Sequence, residues 1–266
     1  MTDPTLPLGR ETAYPNKYKP GVLFPIARAE SREAYVSGVL PFHGVDIWNA
    51  WELTWLGPGN RPVVTTVEIR VPVDSPNLVE SKSLKLYLNS FAMSQFESPS
   101  IVCTTIAKDL SDCTGAEVAV SLDIDGSIAN LDGICVDTLD VECSAWDVDA
   151  TLLRSDSDNV VEESLHTHLL RSLCPVTDQP DMGSLQLTYS GPRIDPASFL
   201  QYVVSFREHN DFHEACVERM FVDILEQCSS TKLSLYARYQ RRGGIDINPF
   251  RSNFEDSPGN PRLWRQ

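Results

Sequence analysis

The chain has 266 residues, enough for one large domain or two small ones with real cores. Its apolar content of 42% is ordinary for a globular protein, but its formal net charge is -15, and so acidic a surface repels phosphate backbones and argues against general nucleic-acid binding. No apolar run is long enough to span a bilayer, and the start Met1-Thr2-Asp3-Pro4 is polar, unlike a signal peptide. The expected setting is therefore the cytoplasm, with no membrane partner. Seven cysteines without CxxC spacing then read as reduced thiols, most of them small buried apolar residues and one of them a candidate nucleophile.

Along the chain, residues 1–60 are rich in Pro, Gly and Trp and read as an irregular leader packed on an N-terminal module. That module spans residues 61–146. Within it, Arg61–Pro72 alternates and is Val-rich, as a half-buried strand is. A Pro/Asn turn leads to a helical stretch over 81–96, and strand-like runs return at 116–124 and 135–141. An acidic stretch over 147–163 looks like a solvated linker between two halves. Residues 147–266 read as a C-terminal module: a strand at 184–190 closed by Gly191-Pro192, helices over 196–207 and 212–228, and a strand at 232–241 with Leu233, Leu235, Ala237 and Tyr239 on one face. The tail after Phe254 is polar and Pro-rich, without a pattern. Both halves follow the order strand, helix, helix, strand. The fold class is α+β, with antiparallel sheets and helices on one face.

Four segments have the residue types for chemistry. Cys174 lies in Ser172-Leu173-Cys174-Pro175-Val176-Thr177-Asp178-Gln179-Pro180-Asp181, where two prolines and a Thr-Asp pair make a loop. A thiol becomes a nucleophile only beside a base or a positive field, and Asp181 is a candidate proton acceptor. The plain alternative is a core cysteine beside a surface aspartate. In Asp211-Phe212-His213-Glu214 the carboxylates stand three apart, which suits a helix capping box as well as a binding site. Lys82 and Lys85 read either as a solvated helix face or as phosphate contacts. Arg241-Arg242-Gly243-Gly244 follows a strand, and with Arg238 it forms a basic patch that suits a phosphorylated cofactor, or simply a turn. No GxGxxG occurs, so a Rossmann domain is not supported.

The stretch Glu80-Ser81-Lys82-Ser83-Leu84-Lys85-Leu86-Tyr87 resembles the signature of the QueF family of nitrile reductases: Glu, Ser or Leu, Lys, Ser or Ala, an apolar residue, Lys, Leu or Tyr, and an aromatic. The family's catalytic segment is matched by Cys174, Val176-Thr177, Gln179-Pro180-Asp181 and Gly183-Ser184, with departures at Leu173 for Asn, Pro175 for Leu and Met182 for Trp. The resemblance extends to Phe212-His213-Glu214 and to Arg242-Gly243, so it covers both halves in the order of the longer, two-module members.

That resemblance implies tandem tunnelling-fold modules, a homodimer, and NADPH-dependent reduction of 7-cyano-7-deazaguanine to 7-aminomethyl-7-deazaguanine, a step toward the tRNA nucleoside queuosine. It gives Cys174 the role of nucleophile, and Asp181 and His213 those of proton-transfer groups. It assigns Val79, Glu80, Ser81, Phe212, His213 and Glu214 to the substrate, and Ser81, Lys82, Arg242 and Gly243 to NADPH. It needs no metal and no direct nucleic-acid partner. Two rivals stay open: a zinc-dependent cyclohydrolase on the same fold, with His166, His168 and Cys174 as ligands, and a non-catalytic purine- or pterin-binding module.

Overall fold

A computed structural model describes residues 13–266; the polar start read at Met1–Pro4 lies outside them. The chain divides into two compact units. The first comprises residues 13–30, 46–126 and 241–246, and the second comprises 31–45, 127–240 and 247–266. The elements fall in the order β1 (Pro25–Ala27), α1 (Arg28–Arg32), β2 (His43–Leu56), β3 (Pro62–Pro72), β4 (Asn77–Val79), α2 (Ser81–Asn89), α3 (Pro99–Thr114) and β5 (Ala119–Leu122). There follow β6 (Ile134–Cys135), β7 (Ser155–Leu173), β8 (Pro180–Ile194), α4 (Pro196–Ser205), α5 (His213–Cys228), β9 (Lys232–Tyr239) and β10 (Ile245–Ser252). The fold class is α+β, as the patterning implies.

In the first unit β3 runs between β2 and β5, and β5 pairs antiparallel with it, Val67 opposite Leu122. Val67, Ile69 and Val71 alternate into the core, which is the period-2 signal read from the sequence. A separate pair joins β1 to β4, with Pro25 opposite Val79. The helical stretch read over 81–96 ends at Asn89, and the next helix, α3, escaped the reading. Its punctuation is nevertheless explicit. Ser98 caps its N-terminus, Pro99 takes the first position, and Gly115 terminates it at φ 77°, in the left-handed region. Val102, Ile106 and Leu110 recur four apart and are fully buried.

The leader read as irregular contains the 14-residue strand β2, whose burial is near-continuous from Asp46 to Ala50. Its consecutive buried residues do not alternate, and its Trp and Asn residues read as loop composition. The strand read over 135–141 shrinks to Ile134–Cys135, and the acidic linker contributes the exposed start of β7.

In the second unit the order is β10-β9-β8-β7-β6, antiparallel except for β6, which lies parallel to β7. Leu165, Leu185, Leu187, Leu233, Leu235 and Ala237 are fully buried on one face. Helices α4 and α5 pack against the same strands, each with its own apolar side: Phe199 and Val203 on α4, Val217, Met220, Phe221 and Ile224 on α5. Asp195 caps α4, with Pro196 in its first turn. The patternless tail is tied down from β9: Arg238 donates to Gln266 and Asn260, and Tyr236 to the Gly259 carbonyl. Arg238 is thus a buried structural group and drops out of the basic patch read around it.

Glu218 of α5 is 2% exposed and accepts from Arg32 at 2.8 Å, from Arg251 at 2.8 Å and from Tyr35 at 3.2 Å. Removing that carboxylate strands buried guanidinium charge. Glu218→Ala is expected to lower the unfolding free energy by about 3–5 kcal/mol, seen as a lower urea midpoint, with Glu218→Gln in between.

Candidate active site

Cys174 follows the last residue of β7 and opens the turn to β8. Its N–H donates to the Gln179 carbonyl at 2.9 Å, and its own carbonyl accepts from Asp178 N–H at 3.0 Å. Asp178 takes φ 54° and is held by Asn210 Nδ2 at 2.6 Å. The segment from the end of β7 is also clasped to the chain before α5: Leu173 N–H donates to the His209 carbonyl and Asp211 N–H to the Leu173 carbonyl. The loop expected around Cys174 is therefore a tight hairpin turn, and the thiol is buried at 3% exposure.

Asp181 lies on β8 opposite Ser172 and is equally buried. Its Oδ2 is 3.1 Å from His213 Nε2. His213 opens α5 and stacks on Tyr239 of β9, with ring centroids 3.9 Å apart and planes at 8°. Two expected proton-transfer groups thus meet directly, and the imidazole is fixed in orientation by a ring that sequence reading had placed only in the apolar face of β9. Tyr239 holds its own proton, its phenol pushed far up by burial and then by the thiol of Cys216 and the charge of Asp181.

The capping-box reading of Asp211 and Glu214 fails. Phe212 is the N-cap of α5 and carries no side-chain cap bond, while Asp211 Oδ1 accepts from the Phe212 N–H one position too early. Glu214 is nonetheless buried, at 3% exposure in the first turn of α5, where the positive end of the helix dipole favours a carboxylate. Sequence reading passed over Cys216, one turn along α5 from His213. Burial, and after it the charges of Asp211, Asp181 and Glu214, push its thiol well above the usual range. It stays protonated, which leaves Cys174 as the thiol of this cluster that sits on a loop.

The first unit holds the other expected residues. Glu80 is the N-cap of α2: Oε1 accepts from Lys82 N–H and Oε2 from Ser83 N–H, each at 2.7 Å. Burial raises its pKa, and the two N–H bonds and the charges of Lys85 and Lys82 pull the other way. Val79 ends β4 and is buried, and Ser81 opens α2. Arg242 and Ile245 bridge across Gly243 and Gly244, whose φ of 62° and 81° demand glycine. A side chain at Gly243 would meet the Lys85 stem at 3.3 Å, so the turn lies directly on α2. Asp246 anchors it to β2, accepting from Asn49 Nδ2 at 2.7 Å and Trp51 Nε1 at 2.6 Å, and Arg241 stacks over Trp51 at 4.8 Å. Backbone amides of a tight glycine turn that follows Arg241 and Arg242 and lies on Lys85 suit a phosphorylated ligand.

The zinc set read from His166, His168 and Cys174 does not form. The two histidines group instead with Cys135, which β6 places beside them.

The second unit is thus an antiparallel sheet and two helices that gather a buried loop thiol, an Asp–His pair and a buried glutamate at one end. Residues 14–122 match the family model described as "Nitrile reductase, 7-cyano-7-deazaguanine-reductase N-term", and residues 180–258 match "QueF-like protein". A protein of Paraburkholderia phytofirmans named NADPH-dependent 7-cyano-7-deazaguanine reductase is 49% identical over 100% of both chains. A protein of the same name from Azoarcus sp. is 51% identical over 94% of this chain and 91% of its own. A solved archaeosine synthase, QueF-Like in the apo form, aligns at a TM-score of 0.32 and 16% identity over 39% of this chain and 100% of its own, too weak a likeness to bear on the fold. The chain belongs to the NADPH-dependent 7-cyano-7-deazaguanine reductase family, in its two-module form.

Because Glu80 caps α2 with both oxygens, Glu80→Ala is expected to cost about 0.5–2 kcal/mol of stability. Glu80→Gln keeps one acceptor oxygen and should cost less, measured by urea unfolding of both variants.

Proposed function

We propose that this protein reduces the nitrile of 7-cyano-7-deazaguanine to the aminomethyl group, with Cys174 as the covalent nucleophile. The observation that carries the proposal is the buried Cys174 turn set at the end of the same hairpin as the Asp181–His213 pair. A nitrile carbon is electrophilic but unreactive toward hydride on its own. Addition of the Cys174 thiolate converts the triple bond into a thioimide, with one proton delivered to the new nitrogen. His213, held by Asp181 and by its stack on Tyr239, is placed to give and recover protons at that nitrogen. Asp181 keeps the imidazole oriented. Collapse of the reduced adduct expels the Cys174 thiolate and leaves an imine, which burial of the site protects from water. The whole change takes four electrons, with two hydrides and two protons added per nitrile.

NADPH, when bound, supplies hydride. The residues fit it: Arg241 and Arg242 lead into a glycine turn that lies on the Lys85 stem, with Lys82 one turn earlier on α2, and the turn lets a phosphate reach backbone amides. Ser81, Lys82, Arg242 and Gly243 are the residues proposed to hold it. Glu214 accepts from the guanine-like N–H edge of the substrate. Phe212 stacks near the ring, and Val79, Glu80 and Ser81 complete its recognition.

The division into modules at 61–146 and 147–266 behind the leader 1–60, the tunnelling fold of those modules, a homodimeric state and a cytoplasmic setting belong to the same reading. So does the absence of nucleic-acid and membrane partners. Among the described residues no helix is long and apolar enough to cross a membrane.

Mixing the purified protein with the nitrile and NADPH should consume two NADPH per aminomethyl product. Cys174→Ala should consume none, and retained turnover in that variant would remove the covalent mechanism. Glu214→Gln should weaken substrate binding by about 1.5–3 kcal/mol, the worth of hydrogen bonds to a charged group. An unchanged affinity by calorimetry would take Glu214 out of recognition.

A further inference from the structure

His166 and His168 stand two residues apart on β7 and so share a face of the strand. β6 runs parallel to β7 and sets Cys135 opposite His166. One ligand atom from each of Cys135, His166 and His168 lies within 4.8 Å of the others. Around a tetrahedral zinc with ordinary bond lengths, neighbouring sulfur and nitrogen atoms stand about 3.3–3.6 Å apart. Side-chain rotation of about an ångström closes the difference.

The surroundings of these three residues point the same way. His166 Nδ1 is 3.1 Å from the Asp132 carbonyl oxygen. That oxygen can only accept, so Nδ1 carries the proton and Nε2 keeps its lone pair. This is the arrangement by which proteins orient a metal-binding imidazole. Gln186 Nε2 donates to the same carbonyl at 3.1 Å and fixes it. His168 Nδ1 is engaged by Ser184 Oγ at 2.7 Å, which again leaves Nε2 for a ligand. Asp137 holds the strand behind it, accepting from the His168 N–H at 3.1 Å and from Thr167 Oγ1 at 2.6 Å.

The β7–β8 ladder shifts register between Thr167 and Leu170, so His168 and Leu169 together face Ser184 alone. Bulges of this kind re-aim a side chain. On the other side, Gly133 takes φ 91°, and a Cβ there would meet the Ser164 carbonyl at 2.2 Å. The segment bearing Cys135 is built in close against β7, although its own strand is only two residues long.

We propose that Cys135, His166 and His168 form a site for a thiophilic divalent transition metal, zinc first, that clamps the short strand β6 onto β7. His166 is buried, His168 is half-buried and Cys135 is exposed, so the fourth position faces solvent and takes water. Binding forms an Sγ–metal bond, breaks the Sγ–H bond and releases that proton to solvent, with no change of oxidation state. The site is separate from Cys174 and independent of the reductase reading.

The test uses the full chain, stripped with a chelator and titrated with Zn2+ and with Co2+. The expected result is one equivalent bound, a thiolate-to-cobalt absorption band in the near-ultraviolet, and protection of Cys135 from alkylation by bound zinc. Cys135→Ala, a mild change at an exposed position, should abolish the band. Cys135→Ala and, separately, His168→Gln should each weaken zinc binding about 100-fold, the upper end of what loss of an orienting partner alone does. Zinc should raise the melting temperature of the parent chain and of neither variant. Absence of binding to the parent chain would overturn the proposal, as would one equivalent bound with the same spectrum and affinity in both variants. The alkylation readout needs no variant, so a folding failure would not shelter the idea.

Discussion

The antiparallel register of β7 and β8 is the constraint on which the second unit depends. It sets Leu173 opposite Pro180 and so fixes the turn that presents Cys174. It puts Asp181 opposite Ser172, from where its carboxylate reaches His213. Strand side chains alternate with a period of two, so a slip of one residue would turn Leu185 and Leu187 out of the core and move Asp181 to the other face. Burial of those leucines against α4 and α5 makes such a slip costly. Apolar packing on one side of the sheet thus holds polar chemistry in place at its end. The local register shift at His168 is absorbed before the ladder resumes at Leu170, which keeps the Cys174 turn in step with the core.

Several buried carboxylates of this strongly acidic chain each meet a specific counterpart. Glu80 is met by the first N–H groups of α2, Asp181 by His213, Glu218 by two guanidinium groups, and Asp246 by an amide and an indole. At Glu80 desolvation raises the pKa, and the two N–H bonds and the charges of Lys85 and Lys82 oppose it. The two cysteines of the candidate site differ in setting. Cys216, on a helix and ringed by three acids, is held as a thiol, whereas Cys174 sits on a turn one residue beyond the strand.

Much of this was legible in the residues themselves, and what was not has physical causes. The chemistry-bearing segments were visible because turns announce themselves: Pro175 and Pro180 marked the Cys174 loop, and two adjacent glycines marked the turn after Arg242. The strands β3 and β9 and the helices α4 and α5 followed from clean periodicity. β2 was hidden because a strand buried on both faces does not alternate, and its Trp, Asn and Asp residues look like loop composition. α3 was missed although Ser98, Pro99 and Gly115 punctuate it, because polar Ser and Thr dilute its apolar stripe. Three readings that the residues left open were decided by contacts rather than elements. Arg238 looked like part of a cationic patch, but a distant tail claims it. Glu214 looked like a capping residue, but the helix begins one residue later than the box requires. Cys174 looked like a partner of His166 and His168, but sheet pairing brings Cys135 there. Spacing along the chain predicts local geometry well, and it cannot predict which remote segment arrives.

In the proposed reaction Cys174 carries the nitrile carbon from the first addition to the imine. The direct measurement is the intact mass of the protein after mixing with 7-cyano-7-deazaguanine alone, with peptide mapping, and again after NADPH is added. Attack by Cys174 gives a gain equal to the full mass of the nitrile, located on Cys174, that disappears as NADPH is oxidised. Unmodified protein that still turns over, or an adduct on another cysteine such as Cys216 that disappears in the same way, would contradict it.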